Sequence, residues 1–100
     1  MANVGSVLMA TDGAVVGTSG KPIRVFSIAV LSGGTAGQVK LYNGTSTSGD
    51  LYIHEVCPVV STSNQFNYGS AGILFPAGCY YDEVTDADVT STLVTFEKEP

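Results

Sequence analysis

Residues 54–57, His-Glu-Val-Cys, place the only histidine of the chain three positions before one of its two cysteines. A histidine beside a thiol can activate that thiol as a nucleophile, so this pair is the first candidate for catalysis. The surrounding LYIHEVC is a strand pattern, however, and residues three apart in a strand point to opposite faces. We therefore predict that His54 is a partly exposed strand residue, that it does not meet Cys57, and that the protein is not an enzyme and has no catalytic residues.

The cysteines Cys57 and Cys79 are the other reactive side chains. Their spacing is far from the C-x-x-C of a metal-ligand pair, and a single histidine cannot complete a site, so we expect no bound metal and no cofactor. Two states remain open, a pair of buried thiols or a disulfide. A reducing site of synthesis favours the thiols.

An acidic cluster, YYDEVTDAD over residues 80–88, is the best candidate for a small ligand. Asp82, Asp86 and Asp88 are oxygen donors of the kind that Ca²⁺ prefers. Their spacing does not match an EF-hand loop, and the cluster contains no glycine to make the sharp turn of such a loop. We expect a solvated acidic turn, because clustered carboxylates repel one another and resist burial. Binding of Ca²⁺ by this turn is left open.

Two further motifs are better explained as turns. Residues 31–37, LSGGTAG, lack the Lys-Ser/Thr and the helix of a phosphate-binding loop. Residues 43–45, Asn-Gly-Thr, match a glycosylation acceptor, but Asn-Gly is also a tight-turn dipeptide. Neither motif is predicted to be a functional site.

Composition argues against two classes of partner. The chain has a net charge of −5 with only four basic residues, whereas binding to a phosphate backbone needs several Lys or Arg contacts. No apolar run approaches the roughly 18 residues of a membrane helix. We therefore expect no nucleic acid partner and no membrane partner, and synthesis in the cytoplasm without a secretory signal.

The hydrophobic pattern predicts strands throughout and no helix. In GQVKLYN, Val39 and Leu41 alternate with polar residues, and IRVFSIAVL carries apolar residues on both parities, which indicates a bulge or two covered faces. Turn signals recur every 8 to 12 residues. The prediction is an all-β fold, an antiparallel β-sandwich that is jelly-roll-like with about eight strands. Residues 18–100 would form this single domain, and residues 1–17 an N-terminal strand or arm.

The segment GILFPAGCYY, residues 72–81, predicts a β-hairpin. Pro76-Ala77-Gly78 has the form of a type II turn, and apolar residues flank it on both sides. We expect Ile73, Phe75 and Cys79 to enter the core.

Tyrosines and the apolar N-terminus are the candidate contact residues. Tyrosine offers a rigid apolar face and a hydroxyl, which suit either a protein interface or a platform on which sugars stack. Residues 1–11 carry no charged side chain, so this segment would pair as a strand or lie on a neighbouring subunit. The predicted interface residues are Val7, Leu8, Met9, Tyr42, Tyr52, Tyr80 and Tyr81.

Two segments carry a resemblance to a known group of proteins. VKLYNGTSTSGDLYI and SAGILFPAGCYYDEVTDADVTSTLVTF resemble short all-β proteins encoded among the structural genes of tailed bacteriophages, including capsid decoration (cement) proteins, over roughly residues 22–96. The resemblance implies a non-catalytic virion component on the capsid surface, made in the host cytoplasm. It also implies two partners, the major capsid protein and further copies of the chain in a symmetric homo-oligomer, with a trimer favoured.

An alternative function belongs to a different class. The same tyrosines would suit a carbohydrate-binding or adhesion module of a phage fibre or tail. The chain contains no tryptophan, which weakens this alternative.

Overall fold

The chain forms two antiparallel β-sheets packed face to face. The computed structural model describes residues 3–9, 13–33, 36–57, 63–85 and 89–98, and these ranges contain nine strands and no helix. The strands are β1 (Asn3–Met9), β2 (Ala14–Val16), β3 (Ile23–Ser32), β4 (Gly37–Asn43), β5 (Asp50–Cys57), β6 (Ser63–Asn67), β7 (Ile73–Phe75), β8 (Cys79–Glu83) and β9 (Val89–Lys98). The predicted antiparallel β-sandwich is confirmed.

The strand order is that of a jelly roll. The first sheet runs β1-β9-β3-β6, with β7 also paired to β3, and the second sheet runs β2-β8-β4-β5. The antiparallel pairs are nested, since β4 pairs with β5, β3 with β6, β2 with β8 and β1 with β9. Folding such nested pairs over into two sheets produces the jelly roll. Eight strands therefore form the sandwich, and β7 is a short addition between β6 and β8.

The apolar residues on both parities of β3 reach the core because the strand contains a bulge. The register with β9 shifts between Val25 and Ser27, which leaves Phe26 as the extra residue. Val25 is buried before the bulge and Ile28 after it, although the two residues differ in parity. Of the two alternatives predicted for this strand, the bulge is correct. In β4 the predicted inward positions, Val39 and Leu41, are both fully buried.

The prediction of a β-hairpin over residues 72–81 is wrong. Strand β7 belongs to the first sheet and pairs with β3, whereas β8 belongs to the second sheet and pairs with β2 and β4. A turn does follow Phe75, closed by a hydrogen bond from the Gly78 amide to the Phe75 carbonyl oxygen at 3.2 Å. This turn carries the chain from one sheet to the other. Phe75 and Cys79 consequently enter the core from opposite sheets, and both are fully buried.

Contacts with the end of β4 hold this crossover turn in place. The Ala77 amide donates to Oδ1 of Asn43 at 2.8 Å, and the Gly44 amide donates to the Gly78 carbonyl oxygen at 3.0 Å. Gly78 has a φ of 103°, a conformation that favours glycine. The side chain of Asn43 therefore has a structural role in this turn.

The first seventeen residues contribute a strand to each sheet. The backbone of β1 pairs with β9 in an unbroken register from Asn3 with Lys98 to Met9 with Thr92, and β2 pairs with β8. Of the two alternatives for this segment, the backbone fits the strand. The side chains of Val7, Leu8 and Met9 lie outside the described residues, so their contacts stay a prediction.

The two cysteines are free and buried, as the thiol alternative requires. Cys57 pairs with Gly37 at one end of β4, and Cys79 pairs with Asn43 at the other end. These β4 residues are six positions apart, about 20 Å along an extended strand, whereas a disulfide needs Cα atoms within about 7 Å. Burial raises the pKa of the Cys79 thiol to about 12.

Replacing Phe75 with Ala should lower the free energy of unfolding by about 3–5 kcal/mol, because a fully buried ring leaves a cavity. Leu74→Ala is the matched control; this neighbour is 39% exposed and should cost about 1 kcal/mol or less. Denaturant unfolding measures both. A loss below about 1 kcal/mol for Phe75→Ala would show that Phe75 is not a core residue.

Neither cysteine should react with a thiol reagent at pH 8 while the protein is folded. Both thiols are buried, and the raised pKa keeps Cys79 protonated at that pH. Chromogenic disulfide exchange measures the reaction, with the unfolded protein as the control in which two thiols should react. Rapid reaction of one thiol in the native protein would contradict the burial of both cysteines.

Candidate interaction surface

The candidate catalytic pair is separated as predicted. The His54 side chain is exposed on β5, and its Nε2 lies 2.9 Å from Oε1 of Gln38 on the neighbouring strand. Cys57 is buried on the inner face of the same strand. A histidine on one face cannot take the proton of a thiol on the other.

The acidic cluster divides between the two faces of β8 and the loop after it. Asp82 lies on the outer face, opposite Lys40 in the register of β8 and β4. Asp86 and Asp88 lie outside the described residues, so the question of Ca²⁺ binding stays open for them. Within the described ranges, no group of three His, Cys, Asp or Glu side chains is placed to hold a metal ion.

Glu83 corrects the expectation that residues 82–88 form a solvated turn. This side chain is 2% exposed, because Cys79, Tyr81 and Glu83 share the inward parity of β8. The Tyr81 hydroxyl donates to Oε2 of Glu83 at 2.5 Å and lies 2.9 Å from the hydroxyl of Thr92 on β9. The buried carboxylate of Glu83 thus accepts a hydrogen bond from a hydroxyl donor. The side chains of Tyr81 and Thr92 link the two sheets.

The same geometry corrects the prediction that Tyr81 is an interface residue. Tyr81 is fully buried, and its hydroxyl is bound to Glu83 and Thr92 inside the sandwich. Treating all the tyrosines alike missed this difference. The alternation of CYYDE could have revealed it, because the residue next to an outward Tyr80 must point inward.

The outer face of the second sheet carries a row of apolar and aromatic side chains. Val15 is paired with Tyr80, Tyr80 with Tyr42, and Tyr42 with Leu51, so the four residues lie side by side across all four strands. We call this set the tyrosine row. Directly opposite residues in a sheet place their Cβ atoms about 4.5–5.5 Å apart, so the row forms a continuous strip.

A charged row follows the tyrosine row on the same face. Lys40 on β4 is paired with Asp82 on β8 and with His54 on β5. Beyond it lie Gln38, Val56 and Val84, and the last two are both more than 40% exposed. The outer face of the second sheet therefore alternates apolar strips with one strip of paired charge.

Exposed apolar surface is concentrated on this side of the molecule. Of the six large hydrophobic residues exposed among those described, four lie on or next to the second sheet: Leu51, Tyr52, Val56 and Val84. The outer face of the first sheet carries Leu74 and Leu93 among polar and small residues such as Ser27, Gln65, Asn67 and Thr95. Leu51, Val56 and Val84 were not among the predicted contact residues. The parity of Val56 relative to the buried Ile53 could have identified it. Leu51 shares the parity of Ile53 and reaches the outer face only because of the bulge at Tyr52.

Tyr52 and Tyr68 cover the open edge of the sandwich. Tyr52 is the extra residue where the register of β4 and β5 shifts, and its ring centroid lies 5.1 Å from that of Phe75. The Tyr68 hydroxyl donates to Oε2 of Glu55 at 2.8 Å, and burial with this carboxylate raises the pKa of Tyr68. Tyr52 thus lies at the edge of the face, while the predicted contact residues Tyr42 and Tyr80 lie at its centre.

Replacing Tyr81 with Phe should lower the free energy of unfolding by about 1–3 kcal/mol, because the buried Glu83 loses its hydroxyl donor. Tyr80→Phe removes the same atom one residue away on the outer face and should change stability by about 0.5 kcal/mol or less. Urea unfolding compares the two variants. Equal effects would show that the Tyr81 hydroxyl does not support the buried carboxylate.

Comparison with known proteins adds no relative. No protein-family model matches the sequence, and no curated protein and no solved structure is significantly similar to the chain. Among the described residues there is no helix long and apolar enough to span a bilayer.

Proposed function

We propose that the protein is a non-enzymatic structural component of a tailed-bacteriophage virion, a capsid decoration or cement protein that works as a homo-oligomer on the capsid surface and binds the major capsid protein. The observation that carries the proposal is the outer face of the second sheet, where the tyrosine row and Val56 and Val84 leave apolar surface exposed. Exposed apolar surface of this kind is typical of protein contacts.

The fold is compatible with this role. Jelly rolls are found in viral capsid proteins and in lectin domains, although a fold does not by itself define a function. The segment resemblance to phage decoration proteins supports the capsid assignment over the lectin assignment. Both sheets are rigidly paired, so a contact on their surface orders few additional residues.

Binding would be adhesive. Tyr42 and Tyr80 are half-buried on the rigid β-sheet, and Leu51 adds an aliphatic side chain that is 47% exposed. Burial of such side chains contributes roughly 25 cal/mol per Å² of apolar surface. Many copies on one shell would add these contacts, because each bound site raises the effective concentration at the next.

A second function has one observation in its favour. The tyrosine row lies beside the polar side chains of Lys40, Asp82 and His54, and sugars bind where aromatic faces adjoin hydrogen-bonding groups. This arrangement would suit a carbohydrate-binding or adhesion module of a phage fibre or tail. Glycan binding that is lost in a Tyr42→Ala, Tyr80→Ala double variant, without capsid binding, would favour this alternative.

Leu51→Glu should weaken binding to phage heads assembled without this protein by about tenfold or more, because it places a charge in the tyrosine row. Leu93→Glu is the matched control, since Leu93 is 41% exposed on the opposite sheet and its change should alter binding by about twofold or less. Co-sedimentation with the heads measures binding, and circular dichroism verifies folding.

Two outcomes of this experiment would contradict the proposal. Failure of the wild-type protein to bind the heads would exclude the capsid role. Loss of binding in Leu93→Glu with normal binding in Leu51→Glu would place the contact on the first sheet instead.

A further inference from the structure

The charged row gives the outer face of the second sheet a pattern that is complementary to itself. Lys40 on β4 and Asp82 on β8 are directly opposite in register, on the two central strands of the sheet. The row beside them is nearly symmetric in character, with Tyr42 on β4 and Tyr80 on β8. Exchanging β4 with β8 thus exchanges a positive with a negative side chain and a tyrosine with a tyrosine.

A two-fold axis makes this exchange. If a second copy is turned over about an axis that runs between β4 and β8 and parallel to them, its β8 lies over β4 of the first copy. Residues at one height along the strands stay at that height, so Lys40 faces Asp82 of the second copy and the reciprocal pair forms as well. The tyrosine row then meets itself, with the two end residues Val15 and Leu51 facing each other.

We propose that this face packs against the same face of a second copy of the chain, forming a two-fold symmetric dimer held by the tyrosine rows and by two reciprocal Lys40–Asp82 pairs. The inference deepens the proposed function, because it names the partner of the face. In the dimer this face is buried between the two copies, so Leu51→Glu would weaken capsid binding by separating copies that attach together through their other surfaces.

Charge favours a second copy as the occupant. The whole chain carries a net charge of −5, so most surfaces of two copies repel each other. Among the described residues of this face, Lys40 and Asp82 carry opposite charges that balance. Of the surfaces described, this face combines neutrality with the largest share of exposed apolar side chains.

The outer face of the second sheet is large enough for a stable dimer interface. The molecule measures 39 × 27 × 17 Å, so its broad side covers about 1,000 Å², while a stable interface buries about 800 Å² on each partner. Two sheets packed in this way would lie about 10 Å apart with their strands inclined by about 30°, as in the sandwich itself. The Lys40–Asp82 pairs lie next to the axis, where this inclination displaces them least.

Reversing the charge of Lys40 or Asp82 tests whether these residues face each other across two chains. Sedimentation of the purified wild-type chain at micromolar concentration, without capsids, should show a dimer. Lys40→Asp and Asp82→Lys should each weaken dimerisation by about tenfold or more, since like charges then face each other twice. An equimolar mixture of the two variants should regain dimers with an affinity within about threefold of the wild type, because both facing pairs become attractive again.

A matched control excludes an effect on folding. Each single variant also places like charges at positions 40 and 82 of the same chain. Mixing the two variants does not remove this repulsion within a chain. Recovery of dimers in the mixture therefore reports only the contact between chains. Glu97→Lys makes an equal charge reversal on the outer face of the first sheet, where Glu97 is paired with Arg24. It should leave the dimer affinity within about twofold of the wild type.

Four outcomes would overturn the inference: a monomeric wild-type chain, a trimer, a mixture that stays monomeric, or an effect of Glu97→Lys equal to that of Lys40→Asp. The trimer implied by the segment resemblance needs a heterologous contact, which a two-fold axis does not make. These results are separable from the capsid test. Heads that bind a monomeric chain would retain the capsid role and exclude the dimer, and a dimer that binds no heads would exclude the capsid role and retain the dimer.

Discussion

The alternation of side chains along β8 is the constraint on which the rest of the structure depends. Its inward residues, Cys79, Tyr81 and Glu83, fill the space between the sheets, and its outward residues, Tyr80 and Asp82, form the centre of the outer face. A strand of period two cannot move one set without moving the other. The buried Tyr81–Glu83 hydrogen bond therefore also determines which residues reach the surface. A shift of one residue would bury Asp82 and expose the carboxylate that is now bound inside.

Two bulges adapt this strict alternation to a closed sandwich. At Phe26 the bulge resets the parity of β3, so that a ten-residue strand presents apolar residues to the core at both of its ends. At Tyr52 the bulge in β5 directs a ring toward Phe75, while Leu51 stays aligned with Tyr42 on the outer face. An irregular edge strand is also a poor template for pairing with another sheet. The β5 edge is therefore a less favourable place for another strand to pair than an even edge would be.

Local patterns in the sequence were sufficient for the strands but not for their assignment to sheets. The alternation around Val39 and Leu41 follows from neighbouring residues alone. For β3 the neighbouring residues left two alternatives, and the pairing with β9 shows that the bulge is correct. The relation of β7 to β8 does not, because a Pro-Ala-Gly turn can join strands of one sheet or of two, and only the distant pairing of β7 with β3 decides between them. The errors at Tyr81 and Glu83 have a different origin. Residue type was given more weight than parity, and in a buried strand parity is the stronger signal.

Electrostatics explains how one face can be selected for contact in an acidic chain. Asp50 is paired with Asn43, Glu55 with Val39 and Glu97 with Arg24, so none of these acidic residues is paired with the tyrosine row. At physiological ionic strength repulsion extends about 8 Å, so two copies that approach through an acidic surface are repelled before apolar side chains touch. Approach through the balanced Lys40–Asp82 row avoids this cost. In the proposed dimer, the overall negative charge would keep copies apart in most orientations, and the face of the tyrosine row would be the surface on which contact is favourable.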